Sequence, residues 1–426
     1  MAGEVYLTST LSKDNVPVTG QAQLVYALLE VMPTDVMASV RMPLNFSLVL
    51  DRSGSMKDEG KLDQLKQAVK YVIDLLADDD YVSVIVFSGE SDVVLSSTLM
   101  GKVRRDNLKR QIDKIDLKWT GTYIAVAVKA GRVEVKKQLA ADRVNRVVLL
   151  TDGQVQMPSG DHRRGEQECL QEAEECGHEG IPLLALGLGS DWNEDLLADM
   201  ARRSGGVADY IARPEDLTPF FVNTVQAMQA AVVQNAVLTL HLVAGITPRK
   251  VWRVVPLIAD LGYSPISERA ITVPLGELEK GQGQGLLVEL LLPARQAGTY
   301  RIAQAEIAYD VPLLNLVQEK VRADLMLSFT HDPYLARQVN PRVMNIVEKV
   351  TAFKLQTRAL QEAELGDVAG ATQKLRAAAT ILLSQGDADL ARTVQLEADK
   401  LEQQGQMTAE GKKTIKFKSS KTVKLV

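Results

Sequence analysis

Between residues 44 and 232, short continuous apolar runs alternate with stretches of helical spacing. This alternation restricts the fold more than any other feature of the chain. Residues 44–50 (LNFSLVL) are too few for a stable helix and end in a turn. Residues 62–77 (LDQLKQAVKYVIDLLA) then place apolar side chains at 62, 65, 69, 72, 73 and 76, the spacing of one helical face. Further apolar runs at 81–87, 144–150 and 181–186 read as strands, with shorter ones at 92–97 and 207–211. Helical patterns fall at 104–115, 124–139, 165–178, 193–203 and from Pro214 onward. A strand written as an unbroken apolar run has to be covered on both faces, and crossover helices do that to a parallel sheet. The expected architecture is a doubly wound α/β domain.

The flanks are built differently. Residues 4–43 form short runs of period two with turn residues between them, which points to antiparallel strands. QAQLVYALLEV before Pro33 reads as a strand, although LVYALLEV also scores as a helix. Residues 235–330 return to strands such as AVLTLHLV, VWRVVPLI, GLLVELLLP and KVRADLMLSF, punctuated by Gly and Pro. An all-β block of this kind reads as a β-sandwich that pairs with the strands of residues 4–43, because neither set of edges should be left bare. Residues 333–404 are helical, with a break at Pro341 and with Gly366-Asp367 and Gly386-Asp387 marking helix ends and N-caps. The Ala-rich contacts have the character of tetratricopeptide-type hairpins, but two units are too few for such a stack, so a three-helix bundle is expected. The tail KKTIKFKSSKTVKLV alternates residue by residue, which suits a docking strand or a mobile end. The expected divisions are 1–43, 44–232, 233–331, 332–405 and a basic tail at 406–426.

Composition narrows the function classes. Of the residues, 46% are hydrophobic and 24% charged, which excludes a largely disordered chain. The net charge of −5 offers no cationic surplus for phosphate backbones, so nucleic acid is not expected as the main partner. Cys169 and Cys176 lie two helical turns apart, about 10 Å by helical rise. That is too far for a disulfide and too few thiols for zinc. The first residues lack the pattern of a secretion signal and no apolar run is long enough to span a bilayer, so the expectation is a cytoplasmic, reduced protein.

The informative side chains stand where strands end. One apolar run passes into Asp51-Arg52-Ser53-Gly54-Ser55-Met56 and another into Thr151-Asp152-Gly153, while Trp119-Thr120-Gly121-Thr122 precedes a helix. In open α/β sheets the carboxyl ends of the strands share one edge, where ligands bind. Two Asp, two Ser and a Thr can therefore reach one point. An all-oxygen donor set suits Mg²⁺, Mn²⁺ or Ca²⁺ rather than zinc. Other roles compete for several of these residues. Ser55 could cap a following helix, and Thr120 rivals Thr122 as the hydroxyl donor. Asp58 and Glu59 read as a solvated turn, His162 as a surface histidine, and Trp119 as either core or rim. No Ser-His-Asp set, Cys-His set or lysine-bearing phosphate loop stands out.

The Asp-x-Ser-x-Ser loop, the Gly-Thr before a helix and the Thr-Asp-Gly after a strand resemble the von Willebrand factor A family. There the corresponding positions form a metal-ion-dependent adhesion site. The resemblance assigns Asp51, Ser53, Ser55, Thr122 and Asp152 to metal, with hydroxyls binding directly and Asp groups often acting through water. It implies a six-stranded, mainly parallel sheet, a divalent cation (Mg²⁺ first) and a protein partner whose Asp or Glu completes the ion's shell. The phrase RMPLNFSLVLDRSGSM, with β strands on both sides, is similar to bacterial members and to inter-alpha-trypsin inhibitor heavy chains. The functional expectation is a metal-dependent binding module or scaffold and not an enzyme. The alternative is an adaptor or subunit of an AAA-type ATPase or metal-insertion complex, for which His162 would be the candidate base.

Overall fold

The computed structural model describes residues 3–156 and 160–421. The chain forms two compact units, Arg41–Ala231 and the pair of segments Met1–Val40 and Val232–Val426. In chain order it opens with β1 (Val5–Leu11), β2 (Asn15–Pro17) and β3 (Gln23–Pro33). The α/β unit follows as β4 (Leu44–Asp51), α1 (Lys61–Leu75), β5 (Tyr81–Phe87), β6 (Ser91–Leu99), α2 (Arg105–Asp113) and α3 (Ile124–Lys136). It continues through β7 (Val144–Thr151), α4 (His162–His178), β8 (Leu183–Leu188), α5 (Glu194–Arg203), β9 (Val207–Ile211) and α6 (Leu217–Ala230).

These strands make a six-stranded sheet in the order β6-β5-β4-β7-β8-β9. Every pair is parallel except β5 with β6. All residues of the central strand β4 are buried, as helices on both faces require. Helix α1 buries Leu62, Leu65, Val69, Val72 and Ile73, the periodic positions of its sequence. Each such side chain contributes about 1.5–3 kcal/mol by leaving water. The register pairs Leu50 of β4 with Leu150 of β7, so Asp51 and Thr151 end neighbouring strands at one edge.

The second unit continues with β10 (Ala231–Leu242), β11 (Thr247–Val255), β12 (Ala259–Asp260) and β13 (Ser264–Ser267). Then come β14 (Ala270–Glu279), β15 (Gln284–Leu292), β16 (Gly298–Val311) and β17 (Leu316–Thr330). Two sheets result, β1-β3-β15-β11-β12 and β13-β14-β10-β16-β17-β2, so the first three strands of the chain are divided between them. The sheets share an apolar cluster that includes Val25, Ala27, Leu29 and Val288 from one and Leu238, Leu240 and Ile307 from the other. Strand β3 is buried on its second face as well. Leu28 packs there with Trp252, Leu287 and three residues of the next helical segment, Val343, Ile346 and Val350. Burial on both faces explains why LVYALLEV lacks clean alternation and can be taken for a helix.

The helical segment comprises α7 (Pro333–Arg337), α8 (Pro341–Glu364), α9 (Val368–Ser384), α10 (Ala388–Gln404) and α11 (Ala409–Lys418). Asp367 and Asp387 cap α9 and α10, accepting from the N–H groups of Gly370 and Leu390. Gly366 and Gly386 hold positive φ at the preceding helix ends, where a side chain would be strained. The described part of the tail is mostly a helix, α11, and not a loose end; strand-like pairing is confined to its last described residue, Lys421, which bridges antiparallel to Leu257, and residues 422–426 lie outside the described chain. Its alternation has a tertiary cause. Lys413, Ile415 and Phe417 are all buried, and a step of two residues turns roughly 200° about a helix, so both sides of α11 are enclosed. Buried Glu397 anchors its start, accepting from the Thr408 N–H and hydroxyl at 2.8 Å each. Among the described residues, no helix is long and apolar enough to cross a membrane.

Candidate metal centre

The carboxyl edge of the six-stranded sheet gathers the five predicted ligands. Asp51 Oδ1 accepts from the Ser53 N–H at 2.8 Å, which folds the chain back just after β4. Its Oδ2 accepts from the Thr151 hydroxyl at 2.6 Å, tying the ends of β4 and β7 together. Asp152 Oδ1 accepts from the Ser55 hydroxyl at 2.6 Å, and Ser55 Oγ lies 3.1 Å from Ser53 Oγ. The Ser55 hydroxyl donates to Asp152, so it is not the donor to Ser53. At least one lone pair on each serine is then left over for another electrophile.

Thr122 reaches the same place from a separate loop. Gly121 has φ +98°, and a Cβ there would stand 2.9 Å from the Gln156 carbonyl. Only glycine fits this approach, in which Thr122 and Gln156 exchange two backbone hydrogen bonds, of 3.1 and 2.8 Å. Gly153 borders the centre, where a Cβ on it would lie in ordinary contact, 3.6 Å from Thr122 Oγ1 and 3.8 Å from Ser55 Oγ. Asp51 and Asp152 are fully buried, and Ser53 and Thr122 are 4% exposed.

Electrostatics makes the cluster incomplete as it stands. Burial pushes the Asp51 carboxyl up to about 6 and the neighbouring Asp152 charge adds to the rise, while hydrogen bonds from Thr151 and Ser53 oppose it. A carboxylate held in that state lacks counter-charge. Two acids and three hydroxyls, with spare lone pairs and no sulfur or imidazole, fit a hard divalent cation.

The competing readings resolve residue by residue. Thr120 faces away, its hydroxyl 2.8 Å from Ser88 Oγ and accepting from the Gly89 N–H. Ser55 is no helix cap: α1 is preceded by Gly60, and the Ser55 proton goes to Asp152. Asp58 and Glu59 are exposed. His162 opens α4 with Nδ1 2.7 Å from the Val155 carbonyl oxygen. Trp119 is rim, 71% exposed, its ring packed so closely over Gly54 that a Cβ there would meet it at 2.3 Å. Sequence reasoning missed Lys61, whose Nζ lies 2.8 Å from Asp152 Oδ2. A signal existed: Lys61 is the first residue of α1, where the helix dipole disfavours a cation.

Known proteins resemble this chain in the same regions. The profile of the von Willebrand factor type A domain matches residues 45–227. That of the Sll0103-like, C-terminal alpha-helical domain matches residues 341–425. The uncharacterized protein sll0103 of Synechocystis sp. is 30% identical over 392 residues, covering 90% of this chain and 88% of that protein. Human inter-alpha-trypsin inhibitor heavy chain H3 is 27% identical over 180 residues, which is 41% of this chain and 20% of that one. Among solved structures, von Willebrand factor type A from Catenulispora acidiphila has a TM-score of 0.77 at 18% identity, covering 99% of this chain and 97% of the other. That likeness is one of fold.

Proposed function

We propose, for a chain that belongs to the Sll0103-like family of von Willebrand factor type A domain proteins, that its α/β unit is a divalent-cation-dependent protein-binding module. Asp51, Ser53, Ser55, Thr122 and Asp152 would hold the ion, Mg²⁺ by the hardness of the donors, with Mn²⁺ and Ca²⁺ as substitutes. The bound ion supplies a Lewis-acidic point that accepts an Asp or Glu carboxylate from a protein partner. The observation that carries this reading is the pair of fully buried carboxylates beside serine lone pairs that no protein donor uses. Specificity then falls to the rim, where exposed Trp119 stands beside Lys118 and Arg52, which share Asp92. No reaction is part of this reading. The cluster holds acids and hydroxyls, and the His162 Nδ1 is engaged by a backbone carbonyl. The net charge of −5 favours a protein over a nucleic-acid partner.

The test is capture of partners from native lysate with Mg²⁺ or with chelator, comparing wild type with Asp51→Ala/Asp152→Ala. Proteins released by both chelation and mutation are the expected outcome. Partners indifferent to both would move the binding function to the β sheets or the helical segment.

A further inference from the structure

Lys61 is the one cationic side chain hydrogen-bonded to the centre among the described residues, and its placement is built. Its Nζ lies 2.8 Å from Asp152 Oδ2, with the lysine side chain 12% exposed and that of Asp152 fully buried. It borders Gly189, just past the end of β8, where φ is +70° and a Cβ would lie in ordinary contact, 3.7 Å from Nζ. Asp152 is therefore shared. One oxygen takes the Ser55 proton on the side of the proposed ligands, and the other takes an ammonium on the far side.

The charge balance gives this lysine a role. Asp51, Asp152 and Lys61 together carry one net negative charge. A divalent ion changes the balance to one net positive charge, and a single partner carboxylate brings it to zero. Without Lys61 the loaded centre would already be neutral, and a bound carboxylate would leave it negative in a buried setting. We infer that Lys61 is a tethered counter-cation that weakens ion binding at this centre and makes the loaded centre a receptor for anionic groups. The inference rests on the metal-binding reading above.

The test uses the full chain and Mn²⁺ alone, by titration calorimetry and electron paramagnetic resonance, for wild type, Lys61→Met, Lys61→Gln and Lys61→Arg. Lys61→Met and Lys61→Gln should bind Mn²⁺ about 10-fold tighter or more, the scale on which groups next to metal ligands act. Lys61→Arg should stay near wild type. Mn²⁺ should raise the melting temperature of the neutral variants more than that of wild type, because ion binding also repairs the buried charge left on Asp152. Acetate added to the Mn²⁺-loaded proteins should bind wild type more tightly than either neutral variant. Mn²⁺ binding in wild type with no gain in the folded neutral variants would overturn the role of Lys61 and leave the metal reading standing. No Mn²⁺ binding in any of the four proteins would overturn both. Binding by the neutral variants alone would support both and show that the lysine outcompetes the ion.

Discussion

Two buried aspartates stand at opposite ends of the same central strand, and their surroundings differ in kind. Asp80, the residue before β5, lies beside the start of β4, where it accepts from the N–H groups of Leu44 and Ala77 at 2.8 Å each and from the Arg41 guanidinium at 2.5 Å. Asp51, at its end, accepts from the Ser53 N–H and the Thr151 hydroxyl, and the charge that acts on it is that of another carboxylate, Asp152. Asp80 is a finished joint that staples the strand to the turn before β5. Asp51 is an unfinished one. Buried acids with complete partners hold a fold together, whereas an acid left short of positive charge beside spare lone pairs is arranged to receive a cation.

Mutations at the two ends should separate these roles. The largest expected effect is structural. Asp80→Ala strands a buried and a part-buried N–H group together with the Arg41 guanidinium, and should cost about 3–5 kcal/mol in urea unfolding, whether or not Mg²⁺ is present. A loss below 1 kcal/mol would erase the contrast.

The next effect runs through pH. The Asp51 carboxyl is raised from its ordinary 3.8 to about 6, so between these values the folded chain keeps a proton that the unfolded chain has released. The stability this supplies to the metal-free protein is present below about pH 4 and is lost as pH rises through 6, about 3 kcal/mol in all. Asp51→Asn should flatten that decline in chelator-treated samples and abolish Mg²⁺ binding. Equal slopes in the two proteins would mean that Asp51 already has its counter-charge.

The smallest expected effect distinguishes neighbouring hydroxyls. Thr122→Ala should weaken Mg²⁺ binding on the order of 10–100-fold, and Thr120→Ala should leave it unchanged. Calorimetric titration of both variants checks this, and equal losses would contradict the loop geometry.

Much of the centre was legible in the chain because its parts are local. An Asp at the end of an apolar run is carried to the carboxyl edge by the strand itself, and Ser53 and Ser55 follow within one turn. Lys61 was signalled only by its place at the start of α1, where a cation is disfavoured. It begins a helical pattern where a lysine reads as a solvated face, and only the folded chain shows that its ammonium reaches Asp152. The choice between Thr120 and Thr122 likewise turned on a strandless contact, Thr122 with Gln156.

The amino-acid sequence alone determined the order of elements in the α/β unit, since apolar run length and helical spacing are short-range properties of the chain. It also placed the caps at Asp367 and Asp387, where Gly-Asp ends one helix and begins the next. Tertiary structure decided the rest. In β3 and α11, burial on two sides removes or mimics the periodicity that distinguishes strand from helix. The division of β1, β2 and β3 between two sheets depends on partners roughly 250–310 residues away. The ammonium beside Asp152 is likewise a matter of distance in space, because charge acts over ångströms and takes no account of position along the chain.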